Sequence, residues 1–142
     1  MYDRKMLGLE EANKIVETII RDVKKRNGSP LSIAVVDFRG DLVQFVRMDG
    51  ASYNSAHMAI AKAYSAARLR HDTSTIHEWM DSVNAELNDW VDPGLTTVGG
   101  GVCIRDKSGP TPSVVGAVGV GGWPKWQDDE EAARLGIAAA MG

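Results

Sequence analysis

Apolar residues recur at helical spacing through Leu9, Ala12, Ile15, Val16, Ile19, Ile20 and Val23, with Glu10, Glu11, Lys14, Glu17, Arg21 and Lys24 between them. The pattern predicts an amphipathic helix with acids early and bases late, the order that the backbone dipole favours. Asn27-Gly28, with Pro30 beyond, marks its end. The period then changes. Leu31-Ser32-Ile33-Ala34-Val35-Val36 reads as a mostly buried strand, Asp37 to Asp41 as a turn around Gly40, and Leu42 to Val46 as the return strand of a hairpin. Ser52 to Arg70 reads as a second helix, and its alanines (Ala56, Ala59, Ala61, Ala63, Ala66, Ala67) imply close packing against a neighbour. Thr75 followed by Glu78 fits a capping box, and Trp79, Met80, Val83 and Leu87 form the apolar stripe of a third helix ending near Trp90. A glycine-rich entry, Thr96 to Gly101, leads into a strand at Val102-Cys103-Ile104. A turn over 106–112 returns the chain as a long strand from Ser113 to Val120, and Asp128 to Met141 is the last helix.

The order is therefore α-β-β-α-α-β-β-α. Hairpins in place of alternating βα units predict an antiparallel sheet with helices over it, an α+β fold. Layer logic predicts that one sheet face is covered by the chain's own helices and that the other is left for a partner subunit. No repeat, low-complexity stretch or linker interrupts the 142 residues, so residues 1–142 are expected to form one domain. Apolar content of 44% and charged content of 25% are those of a soluble globular chain. A net charge of −3 without a basic cluster speaks against nucleic acid as a partner. No apolar run approaches the roughly 18 residues of a membrane span. Met1-Tyr2-Asp3-Arg4-Lys5-Met6 has no apolar stretch behind its charges, so no signal peptide is visible and a cytoplasmic location is expected. Cys103 is the lone cysteine, and His57, His71 and His77 lack ligand spacing, so no protein-only zinc site is expected.

Candidate chemistry concentrates in the second half. The apolar run Val114 to Val120 ends in Gly121-Gly122, then Trp123-Pro124-Lys125-Trp126, then Asp128-Asp129-Glu130-Glu131. The glycines do not match G-x-G-x-x-G, because Pro124 stands where the third glycine belongs if Gly119 is the first. Two readings remain: close strand–helix packing with a tight turn, or backbone N–H groups holding an anionic group. Gly99-Gly100-Gly101 is a second side-chain-free stretch. Antiparallel pairing of the last two strands brings both runs together, which predicts a hollow beside Trp123 and Trp126. These indoles, with Trp79 and Trp90, suit a flat ligand, a subunit contact or simple core filling. His57 lies one turn after Tyr53 on the alanine-rich helix and reads as an axial haem ligand, a general base or a hydrogen-bonded surface residue. Should the chain be catalytic, His57 or Glu131 is the candidate group that moves a proton, with glycine-lined N–H groups holding an anion. The four acids read as a cation site or as helix N-terminal charges. Lys62, Arg47 and Arg68 read as carboxylate partners or as solvated charges. No G-x-S-x-G nucleophile elbow is present.

Several ordered pieces carry a family resemblance: Leu9-Glu10-Glu11-Ala12, Ser32-Ile33-Ala34-Val35-Val36-Asp37, Arg47-Met48-Asp49-Gly50-Ala51, Lys62-Ala63-Tyr64-Ser65-Ala66-Ala67, Gly99-Gly100-Gly101 and Val115-Gly116-Ala117-Val118-Gly119-Val120. From about Leu7 to the end the chain resembles the GlcG/HbpS family, which includes the C-terminal domain of PduO-type cobalamin adenosyltransferases. The resemblance implies a profilin-like sheet of four to five strands flanked by helices, and assembly into dimers or larger homo-oligomers. It also implies binding of haem or another tetrapyrrole. On position and chemistry, His57 and Thr97 are the candidate iron-side residues. Tyr53, Gly99, Gly100, Gly121, Gly122, Trp123 and Trp126 are the expected cofactor surroundings. Trp123-Pro124-Lys125-Trp126 departs from the small turn usual in the family, and so either walls a flat ligand or plugs the pocket. The alternative to ligand capture is a small catabolic-operon enzyme, an isomerase or lyase acting on a carboxylated small molecule. A third reading is an oligomeric accessory subunit.

Overall fold

The computed structural model describes residues 1–142, and its elements follow the expected order. They are α1 (Leu9–Lys25), β1 (Ser32–Asp37), β2 (Leu42–Arg47), α2 (Tyr53–Leu69), α3 (Thr73–Ser82), a 3-10 turn (Leu87–Trp90), β3 (Gly101–Asp106), β4 (Ser113–Gly121) and α4 (Trp126–Met141). The strands form one four-stranded sheet in the order β2-β1-β4-β3. Every neighbouring pair is antiparallel. The chain thus has the α+β fold that its hairpins predict. No helix is long and apolar enough to cross a membrane.

The third helix departs from expectation. It begins at Thr73 with Asp72 before it, and ends at Ser82. Thr75 is no cap: its hydroxyl donates to the Asp72 carbonyl from inside the first turn, at 2.8 Å. Asp72 does not cap the helix with its side chain either. Its carboxylate accepts the Cys103 N–H at 2.9 Å and pairs with Arg134 at 2.8 Å, so it serves the sheet edge and α4. Asn84 adopts φ 54 just beyond the helix, and the chain turns away before the 3-10 turn.

Both sheet faces are covered by the chain's own helices, which corrects the expectation of a face left open for a partner. On one side α1 and α4 pack Ile15, Ile19, Val23 and Ala133 onto Ile33, Val35, Val118 and Val120. On the other, α2 packs Ala59, Ala63, Ala66 and Ala67 onto Ala34, Val36, Cys103 and Ala117. Small residues set that second distance. A Cβ at Gly119 would lie 2.0 Å from the Ala59 carbonyl oxygen, and one at Gly101 would lie 2.4 Å from that of Lys62. The α2 backbone therefore rests on the sheet itself, an approach only glycine allows. A smaller cluster of Leu69, Ile76, Met80 and Leu95 sits under α3, with Tyr64, Trp79 and Trp90 against it.

A buried ion pair joins the layers. Lys62 Nζ donates to Asp129 Oδ2 at 3.1 Å and to the Val120 carbonyl at 2.9 Å. Both side chains are 4% exposed. Asp129 Oδ1 accepts the Trp123 N–H at 3.1 Å. Removing one member leaves a buried charge without its counterion, which costs about 3–5 kcal/mol, whereas an apolar replacement of both is close to neutral. Lys62→Met is therefore expected to lower the urea midpoint sharply, and Lys62→Met with Asp129→Leu to recover most of it. A double variant no more stable than the single one would show that the pair is not what the joint depends on.

Candidate functional site

The two glycine runs meet, as antiparallel pairing predicts. Gly101 stands opposite Gly119. The Val120 N–H donates to the Gly100 carbonyl at 3.0 Å. The hollow expected there is absent, because the protein's own side chains occupy it. A Cβ at Gly100 (φ +118) would lie 2.8 Å from Lys62 Nζ and 3.0 Å from Asp129 Cβ. The Trp126 ring lies over Gly99, 2.2 Å from where its Cβ would be. Gly121 backs onto the Ser55 carbonyl, and Gly122 onto that of Pro30. Nor do Trp123 and Trp126 face one another. Trp123 packs over Gly28 beneath the Arg26 guanidinium, 5.4 Å from its ring centre, whereas Trp126 is 39% exposed. Lys62, engaged with Asp129, is not free to meet a ligand's carboxylate.

The histidines lie apart. His77 Nε2 is 2.9 Å from Thr97 Oγ1, which places Thr97 against α3. His71 stacks on Trp79 with ring centres 4.3 Å apart, and Trp79 in turn meets Trp90 at 5.3 Å. His57 stands exposed on α2, its ring parallel to that of Tyr53 at 6.4 Å. Tyr53 itself is 85% exposed. Glu131 is exposed on α4 and Arg47 at the end of β2. Neither borders the cleft beside His57.

That cleft, of about 490 Å³, runs between α2 and residues 92–96. Met58, Ile60, Ala61 and Tyr64 form the helical wall, and Pro93, Gly94 and Leu95 the facing one. His57 lies toward one end. Toward the other, the Tyr64 hydroxyl donates to Asp92 Oδ2. Arg68 Nε lies 3.6 Å from the same oxygen. Asp92 Oδ1 accepts the Gly94 N–H at 2.9 Å. The Tyr64 bond, helped by the Gly94 N–H, holds the Asp92 carboxyl below the usual carboxylate range. The same bond, with some burial, pushes the Tyr64 phenol up. The site therefore presents an exposed imidazole, an apolar floor and an ionised carboxylate tied to a protonated phenol. Sequence reasoning missed Tyr64 and Asp92. The spacing of His57, Ala61 and Tyr64 on one helical face was available as a signal, whereas Asp92 carried only the mark of a turn residue.

A second cleft, of about 720 Å³, lies between β3 and α4 and includes Asp72, Arg105, Lys107 and Arg134. Its central cation is already paired, since Arg134 meets Asp72 at 2.8 Å and Glu130 at 2.7 Å. Cys103 at its floor is a poor nucleophile, because burial pushes its thiol up to about 12.

This sheet, with α2 and the cleft on one face and α1 and α4 on the other, defines an α+β domain built on a four-stranded antiparallel sheet. The chain belongs to the HbpS-like family: residues 7–138 match the family model described as "Haem degrading protein HbpS-like". It is 31% identical over 120 residues to Protein GlcG of Escherichia coli K12, covering 84% of each chain. A double mutant of Streptomyces reticuli HbpS superposes with a TM-score of 0.81 at 29% identity, over 97% of this chain and 89% of that one. Klebsiella pneumoniae protein ORFY shares the fold at a TM-score of 0.84 and 22% identity, over 98% and 93%. So does PduOC in its haem complex, at 0.79 and 21%, over 94% of each chain.

The stacked His71 gives a pH signature separate from the cleft. Burial first, then the Arg105 charge, lowers its pKa in the folded protein. Between the unfolded value of about 6.5 and the lower folded one, the unfolded chain binds more protons, so stability falls as pH drops through that window. His71→Gln is expected to flatten this segment of the stability–pH curve, read by thermal melts between pH 7 and pH 5. An unchanged slope in the variant would assign the effect to another group.

Proposed function

We propose that the chain captures haem or a related tetrapyrrole at the His57 cleft, and that it does so as a homo-oligomer. The observation that carries this reading is the exposed His57 imidazole bordering a largely apolar cleft of about 490 Å³. That volume lies within the range of small-molecule sites, which are mostly apolar with a few placed polar groups. The donor set fits the group: the His57 imidazole would hold the iron, and Met58, Ile60, Ala61, Pro93 and Leu95 would offer apolar surface to the ring. The family description and the haem complex formed by PduOC on the same fold support the choice of ligand.

In this reading His57 would orient the bound group, the helical wall would exclude water from one face of it, and the Asp92 carboxylate would repel acidic substituents. A bound haem supplies an iron centre capable of redox chemistry. The half-open cleft and the exposed Tyr53 and Ile60 beside His57 are the surface that a second copy would cover.

Titration with haemin, followed in the Soret region, tests the proposal. Wild type is expected to give a shifted, saturable Soret band, and His57→Ala to bind roughly tenfold or more weakly, a loss of about 1.4 kcal/mol or more. No shift with wild type, or equal affinity in the variant, overturns it. Native mass spectrometry of the same samples reads the oligomer.

A further inference from the structure

We propose that Tyr64 and Asp92 form a clasp that holds residues 91–94 against α2 and thereby sets the width of the His57 cleft. Tyr64 is then a positioning residue for the occupant, a role that rests on the ligand reading above, while the clasp itself does not. Tyr64 lies two helical turns beyond His57 and on the same face of α2. Its ring fills a slot between two glycines: a Cβ at Gly40 would lie 2.7 Å from Tyr64 Cδ1, and one at Gly94 would lie 3.3 Å from Cε2. The slot fixes the ring, and the ring aims its hydroxyl at Asp92 Oδ2. Arg68 adds a charge to the same oxygen from one turn further along α2. Three residues of the helix and loop thus converge on one carboxylate.

The segment that the clasp holds has little else to hold it. It leaves the small core at Trp90 and re-enters it at Leu95, which is 8% exposed. Between them Val91 is 89% exposed, and Pro93 and Gly94 are exposed too. Val91 also adopts φ 52, a left-handed conformation that a β-branched residue avoids. An exposed valine gains no packing from that geometry, so the neighbours impose it. The Val91 N–H bonds back to the Asn88 carbonyl at 3.0 Å, and the next residue is Asp92 in the clasp. Beyond Leu95 the Thr96 N–H donates to Ser65 Oγ at 2.8 Å, which fixes the far end of the loop. The cleft therefore has one wall on a rigid helix and one on a strained segment tethered at its middle by Asp92.

Tyr64→Phe tests this without emptying the slot, since only the hydroxyl is lost. Hydrogen exchange is measured on wild type and the variant, each alone and with haemin, with Asp92→Asn as a second variant. Amides of Val91, Asp92 and Gly94 are expected to exchange about tenfold faster in both variants, with those of α2 unchanged and the melting temperature nearly so. Haemin affinity is expected to fall several-fold in Tyr64→Phe, with a displaced Soret maximum. Unchanged exchange over 91–94 overturns the clasp. Faster exchange with unaltered haemin affinity and Soret position overturns the positioning role. If wild type binds no haemin the ligand reading fails, and the exchange comparison still decides whether the clasp exists.

Discussion

A buried ammonium needs a counterion, and much of this fold is arranged around giving one to Lys62. Its charge lies between α2, the end of β4 and the first turns of α4, where water is excluded. Burial pushes the Asp129 carboxyl upward, and Lys62 and the Trp123 N–H pull it back. Each charge is tolerable there only because the other is present. The geometry that follows is strict. Asp129 must sit in the first turn of α4, so the chain from Gly121 to Lys125 has to cross from the sheet end to that point, and the Trp123 backbone N–H is drawn in as it passes. Gly100 leaves room for the ammonium, and Gly101 lets the helix that carries it lie on the sheet.

The same side chain orients α2. At about 100° per residue, Ser55, Ala59, Lys62 and Ala66 fall on one side of the helix, and Tyr53, His57, Ile60 and Tyr64 fall roughly opposite. The first set is buried, while Tyr53, His57 and Ile60 are exposed and Tyr64 is half-buried. Pinning Lys62 inward therefore turns His57 outward, with no freedom to rotate the helix between the two. The inner face is so short in side chains that the helix cannot shift without striking the sheet backbone. A cleft needs at least one wall that does not move if it is to hold an imidazole at a fixed angle, and this arrangement supplies it.

The hairpins and the three long helices were legible in the sequence because each has a clear period and a clear stop. Asn27-Gly28 ends α1, and the loop around Gly40 joins β1 to β2, as the residue types require. The third helix was less legible, since Asp72 resembles any turn aspartate until Cys103 and Arg134, more than thirty residues away, claim its carboxylate. The glycine corner shows a different limit. Glycines at 99–101, 119, 121 and 122 announce that something approaches the backbone closely, and they do not say what. Here it is Lys62, Trp126 and the α2 carbonyls. Lys62 stood out as a candidate carboxylate partner, whereas its actual partner, Asp129, was hidden within a run of acids. The pairing of Tyr64 with Asp92 joins positions 28 apart with no local pattern between them.

A ligand site made from glycine backbone would draw its polarity from main-chain N–H groups, and here the Trp123 backbone N–H is spent on Asp129 and the Val120 backbone N–H on Gly100. The His57 cleft draws its polarity from side chains on α2, and its apolar area from the helix and from the loop that closes over it. Such a site can change shape on one side while its imidazole stays fixed on the other. For a flat, rigid ligand this division is favourable, because orientation comes from the helix and fit comes from the loop. Sequence changes in residues 91–96 could then retune the cleft without disturbing the charge pair that holds the layers together, since the two share no side chain. The charge pair that joins the layers and the loop that lines the cleft are thus separate parts of the structure.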